Sequence, residues 1–511
     1  MLAFYIQDMG DTMGMLTSFA LRGLNILGSL VLILFGTLII LGTVFFILDV
    51  RQEEDAVRRN YPVIGRFRHL FSELGEFFRQ YFFAMDREEM PFNRAERDYI
   101  NDVCDDGHET VPFGSTKALT AGTSIFANGL FPKLEGEHNP QKPFVIGPDA
   151  RQPYEPNSFF NISAMSYGSL SKPAIRALSN GAQLAGCWLN TGEGGVSPYH
   201  LEGNCDIVFQ IGTAKFGARN DDATLNEHKL KAICENPNIK MVEIKLSQGA
   251  KPGKGGILPA SKVTAEIAEI RGIPEGQAAI SPNRHIDASN PAQLLDLIHK
   301  CREISGRPVG IKFVIGNTAP VRELMAEIKS RGLAYAPDYI ALDGGDGGTG
   351  AAPLPLIDNM GLSIRESLPI LDDMLIEFGL RDHIAVIASG KLITPAEIAW
   401  AFCAGANFVS SARGFMFALG CIQALKCDQN TCPTGITTHN KRLQGGLDPE
   451  NKAVRVMRYV STVRKEVEMI AHSCGVDHPR QLTRDHVMIV QTNGHAIPLS
   501  DVWAQKAATD G

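Results

Sequence analysis

Three cysteines in the C-terminal third of the chain carry the clearest chemical pattern in the sequence. Cys421, Cys427 and Cys432 have the spacing C-x5-C-x4-C within twelve residues, whereas the other seven cysteines are scattered. Pro433 and Gly435 follow closely, which favours a compact loop. Three thiolates can ligate a three-iron cluster, or a zinc ion whose fourth ligand lies elsewhere. The alternative is three small buried apolar side chains, because free cysteine is commonly buried.

Short glycine-rich polar segments form a second pattern. They are residues 190–195 (NTGEGG), 343–350 (DGGDGGTG), 389–390 (SG) and 412–414 (ARG). Glycine lets backbone N–H groups approach phosphate oxygens closely, and a following helix N-terminus also attracts negative charge. Any one of these segments is equally consistent with a tight turn that only glycine permits. Taken together, they predict an anionic cofactor.

Two lysines, Lys245 and Lys312, stand at the ends of predicted strands. A lysine at such a position is costly unless it is paired or faces a ligand. Beside a flavin, a lysine would stabilise the negative charge of the reduced ring. The alternative is a salt bridge to Glu193 or Asp343.

The elements that must position these residues are short apolar strands that alternate with helices. The predicted strands are residues 159–165, 188–191, 207–211, 241–245, 309–314, 339–342, 384–388 and 408–410. The predicted helices are residues 172–185, 264–271, 291–304, 319–331 and 394–404. This alternation predicts an α/β fold, a (β/α)8 TIM barrel, rather than an open doubly wound sheet. No G-x-G-x-x-G opens a helix after the first strand, which disfavours a dinucleotide-binding fold. In a barrel, chemistry gathers at the C-terminal ends of the strands, where the polar segments lie.

One N-terminal segment predicts a membrane helix. Residues 26–48 (ILGSLVLILFGTLIILGTVFFIL) contain no charged side chain over 23 residues. As a helix they would span about 35 Å, enough for a hydrocarbon core of about 30 Å. A secretory signal has a shorter apolar region and a small-residue cleavage site. A buried core helix is rarely apolar on every face over this length. We therefore expect an extracytoplasmic segment at 1–25 and a transmembrane helix at 26–48.

Charge predicts the orientation and limits the partners. Five arginines follow the span, at positions 51, 58, 59, 66 and 68, whereas only Arg22 precedes it. The positive-inside rule therefore predicts a single-pass protein of the cell inner membrane, with residues 50–511 in the cytoplasm. Ten cysteines without regular pairing agree with a reducing compartment. A net charge of −7 and the lack of a basic run argue against a nucleic-acid partner.

Residues 49–109 are predicted to be a juxtamembrane helical linker. Within it, residues 60–83 place aromatic and leucine side chains on one helical face. Such a helix could lie on the bilayer surface. Acidic residues interrupt its polar face, which favours packing against the globular part instead.

Five motifs together resemble the synthase core of glutamate synthase, a flavin and iron–sulfur enzyme. They are SAMSYGSLS (163–171), NTGEGG (190–195), QGAKPGKGGILPASKVT (248–264), DGGTGAAPL (346–354) and GCIQALKCDQNTCPTG (420–435). The resemblance covers residues 110–475, which we expect to form the FMN and Fe–S barrel domain. Residues 476–511 form a C-terminal segment without an assignment.

The resemblance implies roles for individual residues. The cluster ligands of a [3Fe–4S] centre would be Cys421, Cys427 and Cys432. The FMN-binding residues would be Met165, Ser166, Asn190, Thr191, Gln210, Lys312, Asp346, Gly347, Gly348, Thr349, Gly350, Gly390, Ala412 and Arg413. The catalytic residues around a 2-oxoglutarate pocket would be Glu193, Lys245, Gln248 and Lys251. Cationic groups suit a dicarboxylate, and Glu193 could move a proton at an imine nitrogen.

The chain also departs from the family pattern. Glutamate synthases begin with a nucleophilic cysteine that releases ammonia from glutamine, whereas here Leu2 follows Met1 and the first cysteine is Cys104. The family's Ser-Gly-His-Asp reads DGGD at 343–346, and its Ser-Glu-Ala-Gly reads IGNT at 315–318. These changes affect substrate identity more than cofactor binding.

The resemblance therefore predicts a membrane-anchored FMN and [3Fe–4S] oxidoreductase that makes glutamate from 2-oxoglutarate, or a related 2-oxo acid, and free ammonia. Its electron donor would be a ferredoxin-like protein, an NAD(P)H-oxidising subunit or the membrane quinone pool. One alternative is a flavin and iron–sulfur electron-transfer protein that makes no amino acid. Another is a zinc-bearing scaffold without catalysis, which the retained Glu193 and Lys245 disfavour.

Overall fold

The computed structural model describes residues 2–52, 55–105, 110–134 and 143–510. These residues form two compact units, Met1–Arg94 and Ala95–Gly511. The first carries the apolar N-terminal segment and the second carries the barrel, and each is described by itself.

The first unit is built of helices. They are α1 (Leu2–Arg51), α2 (Ala56–Asn60) and α3 (Ile64–Phe78), and α3 continues into a π-helical turn, Arg79–Phe83. Thr17–Arg51 of α1 is long and apolar enough to cross a membrane, a test that a signal sequence near an N-terminus also passes. The predicted span, residues 26–48, lies wholly inside this stretch.

A single carboxylate organises the turn after α1. Asp49 is fully buried and forms ion pairs of 2.8 Å with both Arg58 and Arg66. The backbone N–H of Val63 donates to the same carboxylate at 3.0 Å. Because one buried charge collects three donors, it fixes the start of α3 against the end of α1.

The second unit is organised around strands. Among the described residues these are β1 (Ser124–Phe126), β2 (Phe160–Ile162), β3 (Leu189–Asn190), β4 (Ile207–Ile211), β5 (Ile239–Lys245), β6 (Ile257–Leu258), β7 (Ala279–Ile280), β8 (Val309–Phe313), β9 (Tyr339–Asp343), β10 (Ala385–Ser389), β11 (Phe408–Ser411), β12 (Val487–Val490) and β13 (Ala496–Pro498). Eight of them close a parallel barrel in the order β2-β3-β4-β5-β8-β9-β10-β11. The predicted TIM barrel is confirmed, and each of its eight strands overlaps a predicted one.

Helices cover the barrel and connect its strands. They are α4 (Arg94–Cys104), α5 (Lys172–Ala185), α6 (Pro198–Leu201), α7 (Glu227–Cys234), α8 (Ala265–Arg271), α9 (Pro291–Ser305), α10 (Ala319–Arg331), α11 (Leu354–Ile357), α12 (Ile364–Glu377), α13 (Pro395–Cys403), α14 (Arg413–Ala418), α15 (Lys441–Gln444), α16 (Pro449–Ser473) and α17 (Leu499–Asp510). Their starts follow local chemistry, since Ser171 and Thr264 cap α5 and α8 with side-chain oxygens. A Cβ at Gly181 of α5 would lie 2.6 Å from Val456 of α16, so only glycine permits this close helix pair.

Two additions to the barrel were not expected from the sequence. β6 and β7 form a two-stranded antiparallel sheet in the segment between β5 and β8, with α8 between the two strands in sequence. β1 pairs with β12 in an antiparallel sheet that also contains β13. The unassigned C-terminal segment therefore contributes β12 and β13 to a sheet whose third strand, β1, precedes the barrel strands in the sequence.

Candidate functional site

Strand register brings the predicted polar residues to one end of the barrel. Lys245 of β5 pairs with Lys312 of β8, and Asp343 of β9 pairs with Ser389 of β10. All four side chains are buried. Because parallel strands end at the same edge, these groups share one layer at the C-terminal face.

Lys312 is held as an ammonium by its surroundings. Its Nζ lies 3.4 Å from Oδ2 of Asp343. Burial opposes the charge, but the carboxylates of Asp343 and Glu243 outweigh burial and raise the pKa of Lys312. Asp343 also accepts hydrogen bonds from Gly249 N at 2.9 Å and Ser389 Oγ at 2.7 Å. The predicted salt-bridge alternative for Lys312 is therefore present, and the ammonium still lines a cavity.

Glu243 orients two of the predicted cofactor residues. Its Oε1 accepts hydrogen bonds from Asn190 Nδ2 at 2.9 Å and from Gln210 Nε2 at 2.7 Å. Asn190 Oδ1 in turn accepts from the backbone N–H of Gly192 at 2.9 Å, which ties the glycine turn to β3. Thr191 is fully buried, and its hydroxyl oxygen accepts from Gln210 N at 3.1 Å. Thr191 therefore helps to position Gln210, another of the predicted cofactor residues.

A second charged pair lies nearer the barrel mouth. Lys245 Nζ is 2.8 Å from Glu193 Oε1 and also donates to the amide oxygen of Gln248. Burial favours the neutral form of Glu193, yet the Lys245 ammonium and its hydrogen bond, with Lys251 and Arg271 nearby, hold the pKa of Glu193 below its ordinary value. Glu193 is thus an ionised carboxylate in a largely dry position.

Lys251 completes the group of predicted catalytic residues. Burial and the neighbouring Lys245 ammonium lower the pKa of Lys251 to about 8, although Glu193 opposes the change. Its side chain therefore loses a proton not far above neutral pH. Glu193, Lys245, Gln248 and Lys251 all line one cavity.

That mouth cavity adjoins a second, inner cavity. The mouth cavity encloses about 910 Å³ of empty volume, its open side included, and the inner cavity about 560 Å³. The two cavities share six residues in their walls, Ala164, Lys245, Gln248, Gly348, Ala412 and Arg413. One elongated ligand could therefore occupy both.

The predicted cofactor residues are distributed over these cavities. Met165, Ser166, Thr349 and Gly350 line the mouth cavity. The inner cavity is lined by Gln210, Lys312 and Gly390. A third cavity, inside the barrel, is lined by Asn190.

Asp346 and Gly347 are not among the residues that line these three cavities. Asp346 Oδ1 instead accepts from the backbone N–H of Ile364 at the start of α12. A Cβ at Gly347 would lie 2.9 Å from the backbone oxygen of Gly344, so this glycine permits the fold of the loop.

The cysteine loop reaches the same mouth. Cys427 lines the mouth cavity, and the ammonium of Lys262 donates to the carbonyl oxygen of Cys427 at 2.7 Å. Burial raises the pKa of Cys432, but hydrogen bonds from Thr434 and Thr437 outweigh this and lower it overall. Within the part of the chain that the structure describes, no three His, Cys, Asp or Glu side chains converge as a metal-binding group. The iron–sulfur centre therefore stays a prediction.

Several residues of the site were missed by sequence reasoning. Glu243, Lys262, Arg271 and His285 are all buried beside predicted residues. Arg271 Nη2 donates to the carbonyl of Tyr167 at 3.1 Å, and His285 Nε2 lies 2.9 Å from the carbonyl of Lys245. The alternation of β5 could have indicated Glu243, which lies two residues before Lys245 and faces the same side.

Similarity to known proteins identifies the family of the chain. The model of the conserved region in glutamate synthase matches residues 131–477. The chain belongs to the glutamate synthase family. It is 38% identical to the glutamate synthase large subunit-like protein YerD of Bacillus subtilis (strain 168), over 91% of this chain and 96% of that one.

Other glutamate synthase relatives match over a shorter range. The archaeal glutamate synthase [NADPH] of Methanocaldococcus jannaschii is 35% identical over 65% of this chain and 62% of its own length. The archaeal-type glutamate synthase [NADPH] of Thermotoga maritima is 33% identical over 62% and 59%. This glutamate synthase family member thus spans about three fifths of those two proteins.

Solved structures show a more distant likeness. A flavocytochrome b2 variant aligns with a TM-score of 0.45 and 14% identity, over 75% of this chain and 80% of that one. A chimera of (S)-mandelate dehydrogenase gives a TM-score of 0.45 and 13% identity, over 77% and 89%.

Proposed function

We propose that this protein is a membrane-anchored FMN and [3Fe–4S] oxidoreductase that reductively aminates a 2-oxo acid with free ammonia. The preferred substrate would be 2-oxoglutarate, and the product glutamate. One observation carries the proposal. An inner cavity with four cationic side chains and one carboxylate opens onto a mouth that holds Glu193, Lys245 and Lys251. The first environment suits a phosphorylated cofactor, and the second suits a dicarboxylate.

The residues of the inner cavity fit FMN. Its cationic side chains are Lys245, Lys312, Lys391 and Arg413. A Cβ at Gly348 would lie 2.8 Å from Nε of Arg413, so a side chain there would push the guanidinium out of place. Gly390 has φ +121°, and a Cβ there would lie 2.9 Å from Gly344 N. Both glycines line the inner cavity without a side chain, which suits phosphate oxygens, and Lys312 suits the electron-rich edge of a flavin. FMN, when bound, supplies the two-electron reduction.

The mouth residues provide the remaining chemistry. Lys251 supplies positive charge for the carboxylates of the substrate, while Lys245, which also donates to Gln248, orients Glu193. Glu193 is ionised and can accept a proton as ammonia adds to the carbonyl carbon, then return it to the leaving oxygen. In the balanced reaction, 2-oxoglutarate, ammonium, two electrons and two protons give glutamate and water.

The cysteine loop would hold the [3Fe–4S] cluster. Cys421, Cys427 and Cys432 supply three thiol ligands from one loop, and Lys262 lies beside them as a buried cation that an anionic cluster would neutralise. This donor set fits a three-iron cluster, which would pass single electrons inward from a donor. We propose a ferredoxin-like protein, an NAD(P)H-oxidising subunit or membrane quinone as that donor.

The apolar helix would anchor the enzyme in the inner membrane. Its Thr17–Arg51 stretch has the required length and composition. The excess of arginines after the span supports a cytoplasmic position for residues 50–511. Alkaline carbonate washing tests the anchor, because the full-length protein should stay with the membrane until detergent is added.

The decisive experiment combines spectroscopy with an assay. Purified full-length protein should show a flavin spectrum, one FMN per chain and about three irons. With reduced methyl viologen as donor, it should form glutamate from 2-oxoglutarate and ammonium. A flavin-containing protein that forms no amino acid from any 2-oxo acid offered would be an electron-transfer protein. A colourless protein would overturn the cofactor assignment.

A further inference from the structure

The helix α3 and its π-helical turn carry an exposed apolar face. Its members are Ile64, Phe67, Leu70, Phe71, Leu74, Phe78 and Phe82. Spacings of three and four residues place them along one side of the helix. The ring centres confirm the shared side, since Phe67 and Phe71 are 6.3 Å apart and Phe78 and Phe82 are 5.6 Å apart. Phe71 is 66% and Phe82 69% exposed, so large aromatic surfaces face outward.

This face begins at the end of the apolar N-terminal helix. Arg66 of α3 forms an ion pair with the buried Asp49 of α1. The same guanidinium lies 4.2 Å from the ring centre of Phe45, which is also in α1. The start of α3 is therefore fixed at the level where the apolar stretch ends. A helix at that level meets the headgroup region if α1 spans a bilayer.

The charges around this face are complementary to anionic lipid. Arg51, Arg59, Arg68 and Arg79 are all exposed and lie between the end of α1 and the π-helical turn. Arginines beside a span are attracted to the negative surface of a cytoplasmic leaflet by about 1 kcal/mol each. Aromatic side chains suit the boundary between headgroups and acyl chains.

We propose that α3 and its π-helical turn, residues 64–83, lie in the plane of the membrane interface, with the apolar face in the acyl boundary of anionic lipid. The proposal rests on the membrane anchor under "Proposed function" and adds a second contact with the bilayer. From the sequence alone, the acidic residues on the polar face of this helix favoured packing against the globular part. The fixation of this aromatic face at the end of α1, next to exposed arginines, favours lipid.

Site-specific photocrosslinking tests the proposal in the full-length protein. The photoreactive amino acid p-benzoylphenylalanine would replace Phe71 on the apolar face, or Ser72 as a matched control about 130° from the centre of that face. A third variant carries it at Leu38, inside α1. Each protein is reconstituted into vesicles of phosphatidylethanolamine and phosphatidylglycerol, irradiated, and its adducts are identified by mass spectrometry.

We expect lipid adducts at positions 38 and 71, with at least fivefold fewer at position 72. Adducts between position 71 and the barrel of the same chain, or a second copy, would overturn the interfacial position of this helix. Lipid adducts at position 38 in the same experiment would still support the membrane anchor. Lipid adducts missing at position 38 would overturn the anchor and, with it, this inference.

Discussion

The ammonium of Lys245 lies 2.8 Å from the carboxylate of Glu193, although one residue follows β3 and the other ends β5. This pair keeps Glu193 ionised where burial alone would neutralise it. A carboxylate that can exchange a proton thereby stands at the cavity mouth.

Glu193→Gln should abolish proton transfer by this side chain while preserving its size and its capacity to form hydrogen bonds. Removing a general acid–base group costs roughly 10²- to 10⁴-fold in rate. We expect such a loss in kcat for ammonia-dependent glutamate formation, with the FMN content of wild type. Glutamate formation at the wild-type rate would contradict the assignment.

Substrate affinity should fall as the pH rises through about 8. Lys251 has a lowered pKa of about 8, so its charged form is lost above that pH in the free enzyme. An anionic substrate then loses an attractive partner, and kcat/KM for 2-oxoglutarate should fall about tenfold between pH 7.5 and 9.5. Lys251→Arg keeps its charge and should flatten this part of the profile. An unchanged profile in the arginine variant would assign the transition to another group.

Replacing Arg413 should weaken the binding of FMN, which carries a phosphate, much more than the binding of riboflavin, which does not. It lines both cavities and lies against Gly348. Because a charged hydrogen bond contributes about 1.5–3 kcal/mol, Arg413→Met should weaken FMN binding roughly 10- to 100-fold and riboflavin binding little. Flavin fluorescence titration of the apoprotein measures both. The exposed Arg442, which does not line either cavity, provides the control Arg442→Met. Equal weakening of both flavins by Arg413→Met would refute a phosphate contact.

Cys427→Ser should remove iron and leave FMN in place. The cysteine lines the mouth cavity, whereas the glycine-rich segments of the inner cavity belong to other loops. The variant should accept electrons from dithionite but slowly from an iron–sulfur protein donor, as measured by stopped-flow reduction. Cys474→Ser, at the end of α16, is the control and should keep its iron. Full iron content in Cys427→Ser would exclude it as a ligand.

The positive charge of Lys262 should raise the midpoint potential of the proposed iron–sulfur cluster. Its buried ammonium contacts the carbonyl of Cys427 at 2.7 Å and stabilises added negative charge. Lys262→Met should therefore lower the midpoint potential of the cluster by several tens of millivolts. Lys262→Arg retains the charge and should restore most of the potential. The signal to follow is the electron paramagnetic resonance of the oxidised cluster during titration.

The barrel strands were predictable because each is a short apolar run that must be buried on both faces. Ile207–Ile211 was predicted to the residue. The β6–β7 sheet was missed, since two-residue strands are too short to show periodicity. The β1–β12 pairing was missed because it joins segments that only the finished fold brings together.

The site could be predicted where a residue lies in a glycine-rich motif or ends a strand. Glu193 and Lys245 meet both conditions between them, and the structure joins them. Glu243 and Arg271 escaped notice, because inside a strand or helix a charged residue is ordinarily expected to face solvent. The alternation of β5 places Glu243 on the same side as Lys245, but its partners Asn190 and Gln210 are seen only in the three-dimensional contacts.

The sheet that joins β1 to β12 has a consequence for synthesis of the chain. Ser124 pairs with Ile489, so the two partners are separated by 365 residues. At five to twenty residues per second, the ribosome needs about 20 to 70 s to supply the second strand after the first. During that interval β1 has no partner from β12, and the sheet edge is open to other chains. The last strands to be translated therefore set the moment at which the barrel unit becomes complete.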